Sequence, residues 1–150
     1  MKKILFVASE AVPFIKTGGL ADVVGSLPKY LDKRYFDARV ILPKYMCMKE
    51  EIRNSLEYIG DFYIDYAGSS KYVGVLKKEV EGVTFYFIDN EEYFGGPKPY
   101  GDWLYDIEKF IFFSFPKSTN HLGKVTILFT ALFSSLRLIK SVSTLINCNC

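Results

Sequence analysis

The sequence predicts an α/β fold in which parallel strands form the core of a sheet and a β-hairpin extends it. A continuous apolar run at residues 4–8 is followed by a glycine loop, a helix-like segment at residues 20–34 and a short apolar run at residues 40–42. This is the order of a βαβ unit. Farther along, apolar and polar residues alternate on both sides of Glu81-Gly82, which is typical of two strands joined by a tight turn.

The first strand and the first helix each have a recognisable pattern. Residues 4–8 are apolar at every position, as expected of a strand buried on both faces of a parallel sheet. Residues 20–34 repeat apolar side chains at helical spacing and carry basic residues in the last turn, where they complement the helix dipole. Pro28 is expected to kink or shorten this helix. The apolar positions are Leu20, Val23, Val24, Leu27 and Leu31.

The later elements follow from similar patterns. The second strand, at residues 40–42, is predicted to end before Pro43. In the hairpin, one face is predicted to carry Val83, Phe85 and Phe87. Residues 95–102 have the composition of a loop, and a helix is predicted to start at Asp106. This helix is expected to bury Phe110 and Phe113.

Composition excludes several classes of function. A chain of 150 residues with 49% hydrophobic content fits one ordinary domain, and a net charge of +2 predicts neither a nucleic-acid partner nor an acidic substrate. Cys47, Cys148 and Cys150 form no CxxC pair, so neither a metal site nor a disulfide framework is predicted. Ser9 and Glu10 interrupt the first apolar run, which is too short for a secretory signal. We therefore expect a cytoplasmic protein with no membrane partner.

The loop between the first strand and the first helix has the chemistry of an anion site. A helix that starts after a parallel strand presents free N–H groups at the ligand-binding edge of the sheet. Gly18 and Gly19 can adopt positive φ and admit a phosphate or sugar close to the backbone, and Lys16 can neutralise a diphosphate. Alternatively, the glycines only turn the chain and Lys16 is solvated. The loop has neither GxGxxG nor P-loop spacing, which disfavours NAD and points toward sugar nucleotides.

The segment KILFVASEAVPFIKTGGLADVVGSLPKYL resembles the amino terminus of bacterial glycogen synthases and plant starch synthases. The resemblance continues through DARVILPKY, GVTFYFIDNEEYF and YGDWLYDIEKFIFF, and so covers roughly residues 2–114. It implies the amino-terminal, Rossmann-like part of a GT-B glycosyltransferase. The implied reaction is retaining transfer of glucose from ADP-glucose to the non-reducing end of an α-1,4-glucan, with no cofactor and no metal.

The resemblance also implies site residues. The positions that match the loop contacting the phosphates and sugar of ADP-glucose are Lys16, Thr17, Gly18 and Gly19. Glu10 is expected to bind glucan hydroxyls and Asp22 to orient the loop, although both could be ordinary helix-terminal or surface acids.

A second group lies near the helix predicted to start at Asp106. Asp102 and Asp106, with Lys109 at the family's basic position, resemble residues that line the acceptor side of the cleft. Acids just ahead of a helix are equally often caps. Tyr93, Phe94 and Trp103 could stack on sugars, but we expect core packing for Phe94.

The match to the family stops near Ser114. Residues 115–150 contain no acidic residue, and the single histidine, His121, is expected to be a solvated loop residue. Residues 125–146 could form an amphipathic helix that docks on the domain or on a membrane surface, or the reading frame could have slipped near Ser114. We expect the chain alone to be inactive. The alternative function is a non-enzymatic remnant or a glucan- or protein-binding module.

Overall fold

The computed structural model describes residues 1–114 and the backbone of residues 126–129. The strands are β1 (Lys2–Val7), β2 (Phe36–Pro43), β3 (Glu57–Tyr66), β4 (Ser69–Val80), β5 (Val83–Asp89) and β6 (Thr126–Phe129). The helices are α1 (Gly19–Tyr30), α2 (Glu50–Asn54), α3 (Glu91–Phe94) and α4 (Trp103–Ser114).

The strands form one six-stranded sheet in the order β3-β4-β5-β2-β1-β6. The pairs β5-β2, β2-β1 and β1-β6 are parallel, whereas β3-β4 and β4-β5 are antiparallel. The predicted βαβ unit is therefore β1-α1-β2. Because β1, β2 and β5 run in the same direction, their carboxyl ends meet at one edge of the sheet, where open α/β sheets bind ligands.

The first helix is shorter than the sequence pattern predicts. It ends at Tyr30 and not at residue 34, and Leu31 is extended, with φ −71° and ψ 133°. Pro28 lies inside the last turn. Since proline has no N–H to donate to the carbonyl of residue Val24, this turn loses a helical hydrogen bond.

The buried face of α1 also differs from the prediction. Val24 is fully buried, but Val23 and Leu27 are 53% and 44% exposed. The buried residues are Ala21, Val24, Gly25 and Pro28. The helix packs through small residues because the preceding loop approaches it closely: a Cβ at Gly25 would lie 2.4 Å from the carbonyl oxygen of Val12.

The second strand extends farther than predicted and includes Pro43, which pairs with Ile88 of β5. The N–H of Lys44 donates to Ile88 on the β5 side, so the nitrogen of Pro43 faces the β1 side. There β1 has already ended at Val7, opposite Ile41. The N–H of Ala8 still donates to the carbonyl of Ile41, at 3.1 Å, so the proline lies where the pairing with the first strand stops.

The antiparallel half of the sheet contains two tight hairpins. The predicted hairpin is confirmed: Val80 pairs with Val83 across Glu81-Gly82, whose φ angles are 51° and 71°. A second hairpin, not predicted, turns at Ala67-Gly68 with φ angles of 50° and 76° and adds β3. The predicted shared face is buried throughout, at Val83, Phe85 and Phe87. Phe14 from the β1–α1 loop packs edge-on against both phenylalanines, with centroids 4.9 Å away.

The last described helix begins at Trp103, earlier than predicted, because Asp102 caps it. Phe113 is buried as predicted, but Phe110 is only partly buried, and Phe112 occupies the core. The ring of Phe112 stacks on Tyr93 of α3 at 4.3 Å. This aromatic contact fixes α4 against α3 and thereby holds the loop at residues 95–102 in place.

The tail, residues 115–150, contains one described element. Residues 126–129 form β6 and pair in parallel with β1, so the predicted amphipathic helix over residues 125–146 is wrong at these positions. The free edge of β1 supplies backbone partners that favour an extended Thr-Ile-Leu-Phe segment. His121 and the remainder of the tail lie outside the described residues. Within the described part, no helix has the length and apolar content needed to cross a membrane.

Candidate functional site

The loop between β1 and α1 lies at the carboxyl edge of the parallel strands and folds back onto the helix that follows it. The N–H of Val12 donates to the carbonyl of Ala21 in the first turn of α1, at 3.0 Å. The N–H groups of Phe14 and Ile15 both donate to the carbonyl of Ala11. These bonds make residues 11–15 a compact turn, after which Lys16 to Gly18 lead directly into α1.

Glu10 is an interior residue of this loop, with 1% of its surface exposed. Its Oε2 accepts hydrogen bonds from the backbone N–H and from the hydroxyl of Thr17, both at 2.6 Å. Distances this short are typical of charge-assisted bonds. The carboxylate therefore ties the end of β1 to the residue that precedes the glycine pair. The expected contact between Glu10 and glucan hydroxyls stays a prediction.

Lys16 and Asp22 form an ion pair across the start of α1. The ammonium nitrogen lies 2.8 Å from both carboxylate oxygens, and each side chain is 53% exposed. Lys16 is thus neither buried nor simply solvated. The pair holds a positive charge next to the helix N-terminus, in a position open to solvent.

The glycine pair has the expected openness but not the expected backbone conformation. Gly18 is the N-cap residue of α1 and is extended, with φ −154°, and Gly19 is the first helical residue. Neither glycine has a positive φ, so the expectation of a left-handed conformation is wrong. What the glycines provide is space: a Cβ at Gly19 would meet nothing within 4 Å. The first N–H groups of α1, which have no partner within the helix, lie beside this open space.

Two tyrosines and a serine that the sequence did not single out adjoin the loop. The hydroxyls of Ser9 and Tyr100 are 2.5 Å apart. Tyr45 is the second residue after β2 and is 1% exposed, and its hydroxyl has no partner among the described residues. Burial raises the pKa of Tyr45 well above its ordinary value, with smaller contributions from Tyr100 and the carboxylates of Asp106 and Glu10. Ser9 and Tyr45 are each the second residue after a parallel strand, and this position was the signal that could have found them.

Asp106 and Lys109 form a buried ion pair that shapes the loop carrying Tyr100. The ammonium of Lys109 lies 2.5 Å from Asp106 Oδ1 and donates to the carbonyl of Pro99 at 2.6 Å. Asp106 Oδ2 accepts from the N–H of Gly101 at 2.9 Å. These contacts fix residues 99–101 on α4, and the expected contact of Asp106 with the acceptor stays a prediction.

Asp102 is exposed and serves as the cap of α4. Its Oδ1 accepts from the N–H groups of Leu104 and Tyr105, at 3.0 and 3.2 Å. Asp102 therefore has the helix-capping role that the sequence offered as the alternative to substrate binding.

The structure therefore brings the predicted residues into two groups. One is the loop group of Glu10, Lys16 to Gly19 and Asp22; the other is Asp102, Asp106 and Lys109 on α4 and the loop before it. The contact between Ser9 and Tyr100 links the groups. In the described part of the chain, no three His, Cys, Asp or Glu residues converge as metal ligands would.

Comparison with known proteins identifies the class. The family model described as the starch synthase catalytic domain matches residues 3–118, and the chain belongs to this family. The glycogen synthase of Lachnospira eligens is 64% identical over 115 residues, covering 76% of this chain and 24% of the relative. The glycogen synthase of Lachnoclostridium phytofermentans is 60% identical over 114 residues, with the same coverage of both proteins.

A solved structure agrees with these relatives. The catalytic domain of starch synthase IV from Arabidopsis thaliana, bound to ADP and acarbose, superposes with a TM-score of 0.64 at 28% identity. The match covers 75% of this chain and 24% of that one. The fold is that of the amino-terminal part of a GT-B starch synthase catalytic domain. The chain spans about a quarter of the length of the relatives it matches.

Proposed function

We propose that this chain provides the amino-terminal part of a glucosyltransferase that moves glucose, with retention, from ADP-glucose to the non-reducing end of an α-1,4-glucan. The observation that carries the proposal is the position of the Lys16 ammonium beside the open N-terminus of α1, at the carboxyl edge of the parallel strands. The Arabidopsis relative is bound to ADP and acarbose, a nucleoside diphosphate and an oligosaccharide mimic. This supports the same two ligand classes here.

The chemistry required of the loop is recognition of a diphosphate that leaves during transfer. The N–H groups at the start of α1 have no partner within the helix and carry partial positive charge, and a Cβ at Gly19 would meet nothing within 4 Å. Lys16 adds a full positive charge, and Thr17 and Gly18 complete the contact surface. Stabilising the departing diphosphate in this way lowers the barrier to transfer.

The second group supports the acceptor side in this proposal. Asp106 and Lys109 hold residues 99–101 against α4 and so position Tyr100 next to the β1–α1 loop. Asp102 stays a predicted substrate-binding residue, with its capping role as the alternative.

A glucan-binding module without transferase activity is the second candidate. It is favoured by exposed aromatic side chains, which stack on sugar rings: Tyr63 is 64% exposed and Trp103 is 69% exposed. Such a module would bind glycogen without needing the Lys16 loop.

The proposal also includes location and boundaries. We propose a cytoplasmic location; the amino-terminal apolar run lies in strand β1 of the sheet. We assign residues 1–114 to the Rossmann-like part of the catalytic domain and residues 115–150 to a divergent tail.

Binding of ADP-glucose to the purified chain, measured by isothermal titration calorimetry, tests the proposal. Lys16→Ala removes one charge-assisted contact, worth about 1.5–3 kcal/mol, and is expected to weaken binding at least ~10-fold. Lys77→Ala is the matched control, since Lys77 is also a partly exposed lysine in an ion pair, 3.1 Å from Glu57 on β3. This control is expected to bind normally.

Two outcomes contradict the proposal. Equal affinity of the wild type and Lys16→Ala would remove the loop from donor recognition. Binding of glycogen with no binding of ADP-glucose would favour the module. Incorporation of radiolabelled glucose into glycogen by the chain alone would show that it is active, against the expectation from its sequence.

A further inference from the structure

Glu10 is an unusual buried carboxylate. Four polar or charged residues of the described chain are buried, and two of them are carboxylates, Glu10 and Asp106. Asp106 is neutralised by Lys109. Glu10 has no basic partner among the ion pairs of the described residues, although it is 1% exposed. Burying an ionised carboxylate is costly unless its environment compensates the charge.

The compensation comes from a single residue of the loop. Thr17 turns both its backbone N–H and its hydroxyl toward Glu10 Oε2, each at 2.6 Å. One oxygen therefore fixes the backbone and the side chain of Thr17 together. Since Thr17 lies between Lys16 and Gly18, this contact determines how the chain enters α1.

We propose that Glu10 is a positioning residue that acts through Thr17 to hold the Lys16–Gly19 segment in its ligand-binding conformation. This inference rests on the proposed function and refines it. The N–H of Thr17 is committed to Glu10 and is not offered to a ligand, so the diphosphate is received by the amides of α1 that begin at Gly19. Gly18 lies directly beside the carboxylate: a Cβ there would make an ordinary van der Waals contact with Glu10 Oε1, at 3.8 Å.

This role differs from the one the family resemblance implies for Glu10, which is direct contact with glucan. A positioning role predicts that changes at Glu10 alter the affinity for ADP or pyrophosphate, which contain no glucan. It also predicts that the effects of Glu10 and Thr17 are coupled, because they share one interaction.

The experiment compares the full chain with three variants, labelled with ¹⁵N. Glu10→Gln removes the charge at nearly constant shape. Thr17→Val removes the hydroxyl, and with it both the bond to Glu10 and a contact with the Tyr100 hydroxyl, and the third variant combines both substitutions. Asp32→Asn is the matched control, because Asp32 also accepts from a nearby backbone N–H, that of Arg34, at 2.9 Å in a different loop. Amide hydrogen exchange and titration with ADP and with pyrophosphate are measured for each protein.

In Glu10→Gln we expect the Thr17 amide to exchange at least ~10-fold faster, while the amide of Phe6 in β1 is unchanged. ADP and pyrophosphate affinities are expected to fall by roughly 5–20-fold, less in Thr17→Val, and the double variant is expected to be no worse than Glu10→Gln. Asp32→Asn is expected to bind both probes normally.

Three results would overturn the inference. One is faster exchange throughout the sheet in Glu10→Gln, which marks a general role in stability. Another is loss of Thr17 protection with unchanged affinity for both probes, and the third is strictly additive effects of the two substitutions. If the wild type bound neither ADP nor pyrophosphate, the proposed function would fail by itself, and Thr17 exchange would still decide whether Glu10 fixes this loop.

Discussion

The ammonium of Lys16 lies 2.8 Å from both carboxylate oxygens of Asp22, which is located in the first turn of α1. The carboxylate accepts hydrogen bonds from the Lys16 ammonium and thereby keeps this charge at the helix N-terminus. Because both side chains are about half exposed, a phosphate can replace the carboxylate as the partner of Lys16 without passing through the protein interior.

Asp22→Asn is expected to have a small effect on stability. Exposed ion pairs contribute about 0–1 kcal/mol and are screened by salt. We expect the free energy of unfolding to fall by less than ~1 kcal/mol in low salt, and the loss to shrink in about 1 M NaCl. Urea unfolding at two salt concentrations measures both. A loss above ~2 kcal/mol, or one that salt does not reduce, would show that the pair has a structural role that its exposure does not indicate.

The two glycines of α1 are expected to respond oppositely to alanine. A methyl group at Gly25 would lie 2.3 Å from Val12 Cγ2 and 2.4 Å from its carbonyl oxygen, so Gly25→Ala is expected to cost about 1–3 kcal/mol despite better helix propensity. Gly19→Ala meets no atom within 4 Å and is expected to leave stability unchanged or slightly higher.

A binding measurement tests whether a ligand uses the open space at Gly19, independently of the effect of the substitution on stability. Under the proposed function, a phosphate approaches the backbone beside Gly19, where the added methyl group would lie. Gly19→Ala is therefore expected to weaken ADP-glucose binding in calorimetry. Unfolding curves of the same samples provide the control. Normal ADP-glucose binding by a folded Gly19→Ala protein would indicate that the ligand does not approach here.

The elements that local sequence determines were predictable. Strand β1 follows from its unbroken apolar run, and the Glu81-Gly82 hairpin follows from alternation around a pair of residues that can adopt positive φ. Strand β3 was missed because it is an edge strand whose exposed positions include Asp61 and Asp65, and its place depends on pairing with β4. The buried face of α1 depends on Gly25 meeting Val12, a tertiary contact that helical periodicity does not contain.

The candidate site was predictable to a similar extent. The segment from Lys16 to Gly19 was found because its residue types match an anion-binding loop placed between a strand and a helix. The contact between Ser9 and Tyr100 joins residues 91 positions apart, and no local pattern reports such a contact. The bond between Glu10 and Thr17 was also missed, because spacing of seven residues within a loop has no regular geometry.

The buried ion pair of Asp106 and Lys109 is expected to matter far more for stability than the exposed pair at the loop. Lys109 is 3% exposed, and Lys109→Met leaves the Asp106 carboxylate without its charge partner, which is expected to cost about 3–5 kcal/mol. The double variant Asp106→Leu/Lys109→Met is expected to lose less than the sum of the single variants. Denaturant unfolding of the four proteins measures the coupling. Additive losses would show that the two side chains act independently.

Alkaline pH is expected to destabilise the fold through its buried tyrosines. Burial is the main cause that raises the pKa of Tyr93 to about 12 from 10.0, and nearby Glu108 adds to it. The folded state therefore keeps a proton that the unfolded state releases, so the free energy of unfolding falls as pH rises from 10 to 12. The slope is at most about 1.4 kcal/mol per pH unit for each such tyrosine.

Tyr93→Phe tests this assignment, since phenylalanine keeps the ring that stacks on Phe112 at 4.3 Å but cannot ionise. Urea unfolding between pH 9 and 12 is expected to show a shallower decline in the variant than in the wild type. Tyr58→Phe is the comparison: a hydrogen bond with Asp61 also raises the pKa of Tyr58 to about 12, but this side chain is 54% exposed and lies on the edge strand. It is expected to change the decline less, as solvent screens its phenolate in both states. Identical pH profiles for the wild type and Tyr93→Phe would show that other groups produce the alkaline loss.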